Sequence, residues 1–379
     1  MKIPYFTIRL LMFFSLLSIL IGCNKKTEVP SVPVATVPAA TVPVVVQPSA
    51  DLAPITPIGY NGYDLVWNDE FNGSSLDATK WSYEVGTGVN GDFGTGQLDR
   101  ATDRTENVSL QNSIANTDGG SLAITTRREA YMDRQYTSGR INTKGKASFG
   151  PGYRIEARVW AKDVRYKGQG FAFWLMPDEF PAALGSIMWP QGGEVDIMEY
   201  VGAIPAHNLG TVHYAWFWKD NQYVDWNHAH KGAYYSYAGK EVPDPKPVYG
   251  NWPASATDLN TGSGGYYIYR IEFFNDRLEF SINNHIYHIH YLNDGAAFDH
   301  GKADGQDKDS VVVLNGKRTY LSEYSNHFPE WKPFEHKFYI ILSAGVGGND
   351  NMSYGGAITP SAVFPCSTFV DWVRVYKRK

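Results

Sequence analysis

Hydrophobic and polar residues alternate along most of the chain from about residue 60 onward. The alternating stretches lie between turns rich in Gly, Asn and Asp and read SLAITTRR, GYRIEARVWA, GEVDIMEY, YYIYRIEFFNDRLEFSINNHIYHIHY, KFYIILSAGV and STFVDWVRVYK. Within the longest of them an Asn-Asp pair, flanked by apolar residues, suits a tight hairpin turn. Long helical periods are hard to find. Many antiparallel strands with short turns form sandwiches or barrels, so the pattern predicts an all-β sandwich.

Two long segments, 203–263 and 294–335, interrupt the alternation. They are rich in Trp, Tyr, His, Asn, Asp and Gly and are too long to be simple hairpin turns. Loops of this length usually carry function or are disordered, and the many aromatic residues argue against disorder. We therefore predict that both segments are irregular and form walls around a binding cleft.

The N-terminus has the pattern of an exported lipoprotein. Lys2 and Arg9 precede an apolar run, LLMFFSLLSILIG, which is too short for a typical membrane-spanning helix. The tetrapeptide LIGC resembles the bacterial lipobox, in which the cysteine is acylated; the alternative is an ordinary signal peptide followed by a chance cysteine. We predict a signal peptide over 1–22, lipid on Cys23 that anchors the protein to a membrane, and no transmembrane helix elsewhere. The expected location is the bacterial outer membrane, on either face.

The next residues predict a spacer. Residues 23–57 are rich in Pro, Val, Ala and Thr and have no period that could bury a face, so they favour an extended, semi-rigid chain. Residues 58–379 are then enough for a single large all-β domain. We find no internal repeat and expect a monomer.

Composition excludes some functions. The net charge of -5 and the lack of a basic run argue against nucleic acid as a partner. The chain has two cysteines, and if Cys23 carries lipid then Cys366 has no partner. Packing, and not a disulfide framework, must therefore stabilise the domain.

Three carboxylates lie close together in the segment GGEVDIMEY, at Glu194, Asp196 and Glu199. Side chains on a strand alternate between faces, so a regular strand would separate Glu199 from the other two. A β-bulge near Ile197 and Met198 would add one residue and return Glu199 to their face. The alternative is a regular strand on which Glu199 points to solvent.

On one face, the two glutamates would form the carboxyl pair that cleaves a glycosidic bond, one ionised and one protonated. Asp196 between them would push their proton affinities apart. Sugar sites also use flat aromatic platforms, and the chain has 11 Trp and 25 Tyr, although a sandwich core consumes many of these. Trp189, Pro190 and two glycines directly precede the cluster, which favours this interpretation.

The segment WPQGGEVDIMEY resembles the active-site strand of glycoside hydrolase family 16, most closely that of the laminarinase-like β-1,3-glucanases. Further matching segments follow the family's order and cover nearly all of the chain after the linker. They are VWNDEFNGSSLDATKW, TDRTENV, SGRINTKGKASF, RIEARVWA, FAFWLMP, YRIEFFNDRLEF, FYIILSAGVGG and VDWVRVYK. The resemblance implies a concanavalin A-like β-jelly roll of two curved antiparallel sheets, with the substrate cleft on the concave face.

The resemblance also implies retaining chemistry without a cofactor. Glu194 would be the nucleophile, Glu199 the general acid/base and Asp196 their electrostatic helper.

Further site residues follow from the same resemblance. Trp174 and Trp189 would line the sugar subsites, although a core position is the alternative for Trp174. Arg158 and His213 would contact the substrate near the cleavage point.

Many family members also carry a structural calcium ion on the convex side. The matching positions here are Glu70, Gly120 and Asp371, and the alternative is that the two carboxylates pair with arginines. This chain departs from the family where NELQYYT is replaced by TGQLDRAT and WPAFW by GFAFW. These departures leave the catalytic residues unchanged and bear on the donor-side sugar subsites.

Together these features predict a secreted, lipid-anchored endo-β-glucanase that hydrolyses β-1,3-glucan or mixed-linkage β-1,3-1,4-glucan with retention. One alternative is a family 16 hydrolase of an algal galactan such as agarose. The other is a surface glycan-binding protein without catalysis, which the presence of all three carboxylates disfavours.

Overall fold

The structure is a computed structural model. It describes residues 59–178, 189, 192–204, 207–215, 265–292 and 334–379, and the backbone of strands within 218–236 and 311–320. The predicted signal peptide, Cys23 and the linker lie outside the described residues. Within them, no helix is long and apolar enough to cross a membrane. Cys366 is buried and is not part of a disulfide within the described residues.

The described residues are almost entirely β-structure. Residues Val89–Gly91 form a short 3₁₀ turn. The strands are β1 Tyr63–Asp69, β2 Ser82–Tyr83, β3 Asp99–Ala101, β4 Val108–Gln111, β5 Ser121–Tyr131, β6 Arg134–Ser138, β7 Arg140–Asn142, β8 Ser148–Phe149, β9 Tyr153–Trp160, β10 Gln169–Pro177, β11 Glu194–Val201, β12 His207–Ala215, β13 Trp218–Lys219, β14 Gln222–Tyr223, β15 His228–Ser236, β16 Tyr267–Phe273, β17 Arg277–Ile282, β18 His285–Tyr291, β19 Val311–Leu314, β20 Lys317–Tyr320, β21 Phe338–Val346 and β22 Cys366–Arg378.

These strands form two large sheets and one small ribbon. The larger sheet has twelve strands, in the order β19-β20-β18-β17-β16-β9-β22-β5-β6-β3, with β1 paired to β22 and β4 to β5. The smaller has eight, in the order β15-β12-β11-β10-β21-β7-β2, with β8 paired to β21. Most pairs are antiparallel, but β18 and β20, and β3 and β6, run parallel. The predicted all-β sandwich is confirmed, with these two parallel pairs as the departure.

The hydrophobic core lies between the two large sheets, because each sheet buries every second side chain. On β9 the buried apolar side chains are Ile155, Ala157 and Val159, while Arg154 and Glu156 occupy the other face. On the smaller sheet the core positions of β10 are Phe171, Phe173 and Leu175. Burial of a large apolar side chain stabilises the fold by about 1.5–3 kcal/mol, so these alternating faces hold the sheets together.

The predicted hairpin is confirmed. β16 and β17 pair antiparallel, and the Phe274 N–H donates to the carbonyl of Arg277 at 2.9 Å to close the turn that contains Asn275 and Asp276.

The prediction of irregular structure over 203–263 and 294–335 is partly wrong. The first segment contains β12 to β15, and the second contains β19 and β20. Tyr, Trp, Val and Thr favour strands, so the aromatic content that suggested cleft walls also supports added sheet. The connections between these strands lie outside the described residues.

Candidate active site

A cleft lies on the face of the smaller sheet that points away from the core. Its floor consists of β7, β10, β11 and β21, and the loop between β2 and β3 borders it. All three carboxylates of β11 line this cleft.

Strand β11 has one extra residue in its pairing register with each of the two neighbouring strands, β10 and β12. Against β10, Met198 pairs with Phe173 and Asp196 pairs with Trp174, so Ile197 has no opposite residue. Against β12 the register shifts in the same part of the strand. This is the two-against-one geometry of a β-bulge.

The bulge decides which side chains enter the cleft. Ile197 and Met198, although consecutive, both belong to the hydrophobic core and are almost fully buried. Glu199 thereby returns to the face of Glu194 and Asp196. The predicted bulge is confirmed, and it explains how carboxylates at positions 194, 196 and 199 meet.

Glu194 has neighbours that favour its ionised form. The indole Nε1 of Trp189 donates a hydrogen bond to Glu194 Oε2, and His213 lies opposite Glu194 in β12. Burial and the nearby Asp196 raise the pKa of Glu194 to about 8, and His213 and the Trp189 hydrogen bond oppose this rise. These two neighbours stabilise the Glu194 anion against the cost of its burial.

Glu199 lacks such neighbours. Burial raises the pKa of its carboxyl well above the usual value, and the charges of Asp196 and Glu194 raise it further. No described group lowers it. The pKa of both carboxyls is thus raised, but only Glu194 has described neighbours that favour its anion, so ionisation of the cluster favours Glu194 over Glu199, as expected of a nucleophile and an acid.

Asp196 links these groups. Its Oδ2 lies 2.8 Å from Nε2 of His213, whose side chain has no exposed surface. Burial raises the pKa of Asp196, and a hydrogen bond from Glu194 lowers it. Because the His213 side chain is fully buried, it can act on a bound sugar only through the carboxylates beside it, Asp196 and Glu194. The structure therefore brings His213 to the site as predicted, but as a partner of Asp196.

Both predicted tryptophans lie at the cleft. Trp174 lines it, with Nε1 donating to Ser343 Oγ at 3.0 Å and the Arg140 guanidinium 4.8 Å from its ring centroid. The alternative core position for Trp174 is wrong. Trp189 is 44% exposed beside Glu194, so its indole face is available to a ligand.

The prediction for Arg158 needs correction. Arg158 lies on β9 in the larger sheet and forms an ion pair with Asp371. It also donates to the carbonyl of Asn116 at 2.8 Å and stacks on Tyr266. The alternation of β9 turns residue 158 to the outer face of the other sheet, so Arg158 does not line the cleft.

Two of the predicted calcium ligands, Glu70 and Asp371, are paired with arginines of the larger sheet. Asp371 accepts hydrogen bonds from Arg158 and from the Asp118 N–H, while Arg374 donates to both oxygens of Glu70 at 3.0 and 2.7 Å. Every oxygen of the two carboxylates is thus already bound by a donor. A guanidinium cation already neutralises each carboxylate and would repel a divalent cation, so this arrangement disfavours calcium and matches the arginine-paired alternative.

Gly120 has a packing role at this position. A Cβ on Gly120 would lie 2.0 Å from the carbonyl oxygen of Phe71, so the backbone approach requires glycine.

We expect chelation with EDTA to leave the melting temperature unchanged, whereas Glu70→Gln should destabilise the fold. Arg374 is 1% exposed, and a buried charge that loses its partner typically costs about 3–5 kcal/mol. Thermal unfolding of both samples tests this. Asp64→Asn, which breaks the exposed pair with Lys379, is the control and should change little. A melting temperature that falls on chelation and recovers with calcium would contradict the arginine pairing.

Several cleft residues were not singled out from the sequence. Arg140 and Gln97 lie in the quoted segments SGRINTKGKASF and TGQLDRAT, but a segment match does not tell which side chain faces the cleft. Thr95, Ala172, Ser343, Ala344 and Gly345 also lie in matching segments, whereas Phe93 and Tyr354 lie outside them. Thr95 and Gln97 show that the departure from NELQYYT does change the cleft lining.

Known proteins resemble this chain over most of its length, although no family model matches it. The chain is 30% identical over 318 residues to the β-glucanase of Rhodothermus marinus, covering 83% of this chain and 85% of that protein. It is 29% identical over 324 residues to glucan endo-1,3-β-glucosidase A1 of Niallia circulans, covering 84% of this chain. The chain spans only 38% of the length of that relative.

A solved structure has the same fold. It is a mutant of SCLam, a non-specific endo-β-1,3(4)-glucanase of family GH16, co-crystallised with 1,3-β-D-cellotriosyl-glucose. The TM-score is 0.55 at 26% identity, and the match covers 84% of this chain and 96% of that one. With the jelly-roll sheets, the carboxylate cluster in the cleft and the 30% identical relative, the chain belongs to glycoside hydrolase family 16, with the laminarinase-like endo-1,3-β-glucanases.

Proposed function

We propose that this protein is an endo-β-1,3-glucanase that cleaves internal bonds of laminarin-type or mixed-linkage β-1,3-1,4-glucan with retention of configuration. The observation that carries the proposal is the unequal environment of the two glutamates on one cleft face. Glu194 has a histidine and an indole N–H that favour its anion, and Glu199 has only groups that favour its acid form. The named glucanase activities of the relatives support the substrate class.

In the first step Glu199 gives its proton to the glycosidic oxygen while the carboxylate of Glu194 bonds to C1. The C1–O bond breaks and its electron pair stays on the leaving oxygen. In the second step the Glu199 carboxylate takes a proton from water, the water oxygen bonds to C1, and the bond to Glu194 breaks. Asp196 and His213 keep Glu194 oriented and limit the charge that the buried cluster must hold.

Activity should fall as the pH rises through the raised pKa of Glu199. Below that pKa Glu199 keeps the proton that the leaving oxygen needs; above it the acid is lost. Because burial and two neighbouring carboxylates raise this pKa, the protonated form should persist into the neutral range. A profile of kcat/KM against pH tests this, with an aryl glycoside as control, since a good leaving group needs no proton. A basic limb of equal size on both substrates would contradict the role of Glu199.

The product should first appear as the β-anomer. A glycosyl-enzyme intermediate on Glu194 requires two displacements at C1, each with inversion, so the configuration is retained. Proton NMR of the first turnovers on laminarin checks this before mutarotation obscures the result. An initial α-anomer would instead indicate direct attack by water.

The substrate is best identified with a panel of polysaccharides. The purified protein should release oligosaccharides of mixed length from laminarin or from mixed-linkage glucan. Preferential release from agarose or carrageenan would favour the galactan alternative, and binding without release would favour the non-catalytic one.

Acylation of Cys23 and export to the cell envelope are part of the proposal. Labelling with a radioactive fatty acid, with Cys23→Ser as control, tests the acylation.

A further inference from the structure

Tyr354 is an aromatic residue of the cleft to which the proposed mechanism gives no role. Tyr354 lies in the loop between β21 and β22, and its ring covers the cleft floor where two glycines, Gly170 and Gly345, pair across β10 and β21. A Cβ on Gly345 would lie 3.2 Å from Tyr354 Cδ1, and a Cβ on Gly170 would lie 2.9 Å from its hydroxyl oxygen. The ring therefore runs from β21 toward β10, and its hydroxyl points onward to β11.

The side chain that β11 presents at this place is Glu199. Glu199 pairs with Ala172, which lies two residues along β10 from Gly170 and so shares its face. Both the Tyr354 hydroxyl oxygen and Glu199 Oε2 are buried, and neither has a hydrogen-bond partner in the described part of the chain. Buried polar atoms without partners are rare and costly in native proteins. Both atoms belong to residues that line the same cleft, so each could satisfy the other once Glu199 is ionised.

The loop holds the tyrosine ring in place through its backbone. The Tyr354 N–H donates to the carbonyl of Thr95 at 2.8 Å, and the Gly168 N–H donates to the carbonyl of Gly355 at 2.9 Å. Gly355 and Gly356 have φ angles of 69° and 82°, which favour glycine. The loop backbone thus fixes the position of the Tyr354 ring, and Gly170 and Gly345 leave the space that the ring occupies.

We propose that Tyr354 is a positioning residue for Glu199, donating a hydrogen bond to Glu199 Oε2 once Glu199 has lost its proton. The inference rests on the proposed function, in which Glu199 is the general acid/base. After the first step Glu199 remains as a buried carboxylate with no described cation beside it. The tyrosine hydrogen bond stabilises that carboxylate and keeps it oriented to take a proton from water in the second step.

Tyr354 itself keeps its proton throughout. Burial raises the pKa of its phenol well above the usual value, and the charges of Glu199, Asp196 and Asp99 raise it further. The phenol is therefore a hydrogen-bond donor and not an acid in the reaction.

The test is Tyr354→Phe, which removes a single oxygen that has no hydrogen-bond partner among the described residues and should leave folding intact. Without the donor the Glu199 carboxylate is less stable, so the basic limb of kcat/KM should move up by about one pH unit. The value of kcat should fall about tenfold, with KM nearly unchanged. Tyr136→Phe removes a matched oxygen outside the cleft, where the ring packs on Phe364, and should change neither quantity.

Gly170→Ala provides a second variant, because its Cβ would displace the ring while the hydroxyl is kept. It should shift the basic limb in the same direction. An unmoved basic limb in folded Tyr354→Phe would overturn the inference, as would a rise in KM alone, which would mean that the hydroxyl contacts the sugar. A separate measurement on Glu199→Gln distinguishes a failure of this inference from a failure of the proposed function. If that variant stays active, the proposed function itself is wrong.

Discussion

Glu194→Gln is expected to abolish hydrolysis of β-1,3-glucan, and Glu199→Gln is expected to lower it by about 10²–10⁴-fold. The first change removes the nucleophile and the second removes the proton that the leaving oxygen needs. Turnover of laminarin by the purified variants measures both effects. An aryl glycoside with a good leaving group separates them, because Glu199→Gln should still form the glycosyl-enzyme on it and Glu194→Gln should not.

Azide supplies a further check on the assignment. A small anion can attack the glycosyl-enzyme without a general base, so azide should rescue Glu199→Gln on the aryl glycoside and leave a β-glycosyl azide. Near-native turnover of laminarin by either folded variant would contradict the roles given to the two glutamates.

The folded state of these variants can be verified by their stability. Because burial raises the pKa of Glu199 in the folded state, the stability that this carboxyl contributes is present below its unfolded-state pKa. That stability is lost as the pH rises through the folded-state pKa. Glutamine does not titrate, so Glu199→Gln should melt at least as high as the parent at neutral pH.

Exchanging the last two site positions, Met198→Glu with Glu199→Met, should also remove nearly all activity. In the bulged strand Met198 points into the core with no exposed surface, whereas Glu199 points into the cleft. The exchange would place a carboxyl between the sheets and a thioether beside the substrate. An unpaired buried carboxyl is costly, so some loss of stability is expected as well.

Circular dichroism should establish the folded fraction before activities are compared. Met198→Leu, which keeps an apolar side chain of similar volume in the core, is the matched control and should remain active. A folded and active exchange variant would mean that residue 198 faces the cleft, as it would in a regular strand.

The sequence by itself determined most of the strands and the identity of the carboxylate cluster. Alternation with a period of two is a local property, so segments such as GYRIEARVWA predict β9 without knowledge of its neighbours. The spacing of Glu194, Asp196 and Glu199 was also sufficient to predict a bulge, because only an extra residue can bring the third carboxylate to the same face.

The tertiary structure decided which partner each polar side chain has. Nothing in RIEARVWA tells that Arg158 meets Asp371, because that contact joins two strands that are far apart in the chain. The same holds for His213, which the fold buries against Asp196, and for the strands formed by the aromatic segments after residue 203. Local pattern specifies the face on which a residue lies, whereas sheet order specifies its neighbours.

The proton affinities of the site also arise only from the fold. Glu194 and Glu199 have the same side chain, and their sequence neighbours do not distinguish a nucleophile from an acid. Of the two glutamates, only Glu194 has Trp189 and His213 beside it, whereas the charges of Asp196 and Glu194 act on Glu199, and the Tyr354 hydroxyl in the same cleft has no hydrogen-bond partner among the described residues. Electrostatic interactions depend on distance and burial in three dimensions. The sequence therefore identifies the two glutamates, and the packing of the sheets sets the proton affinity of each one.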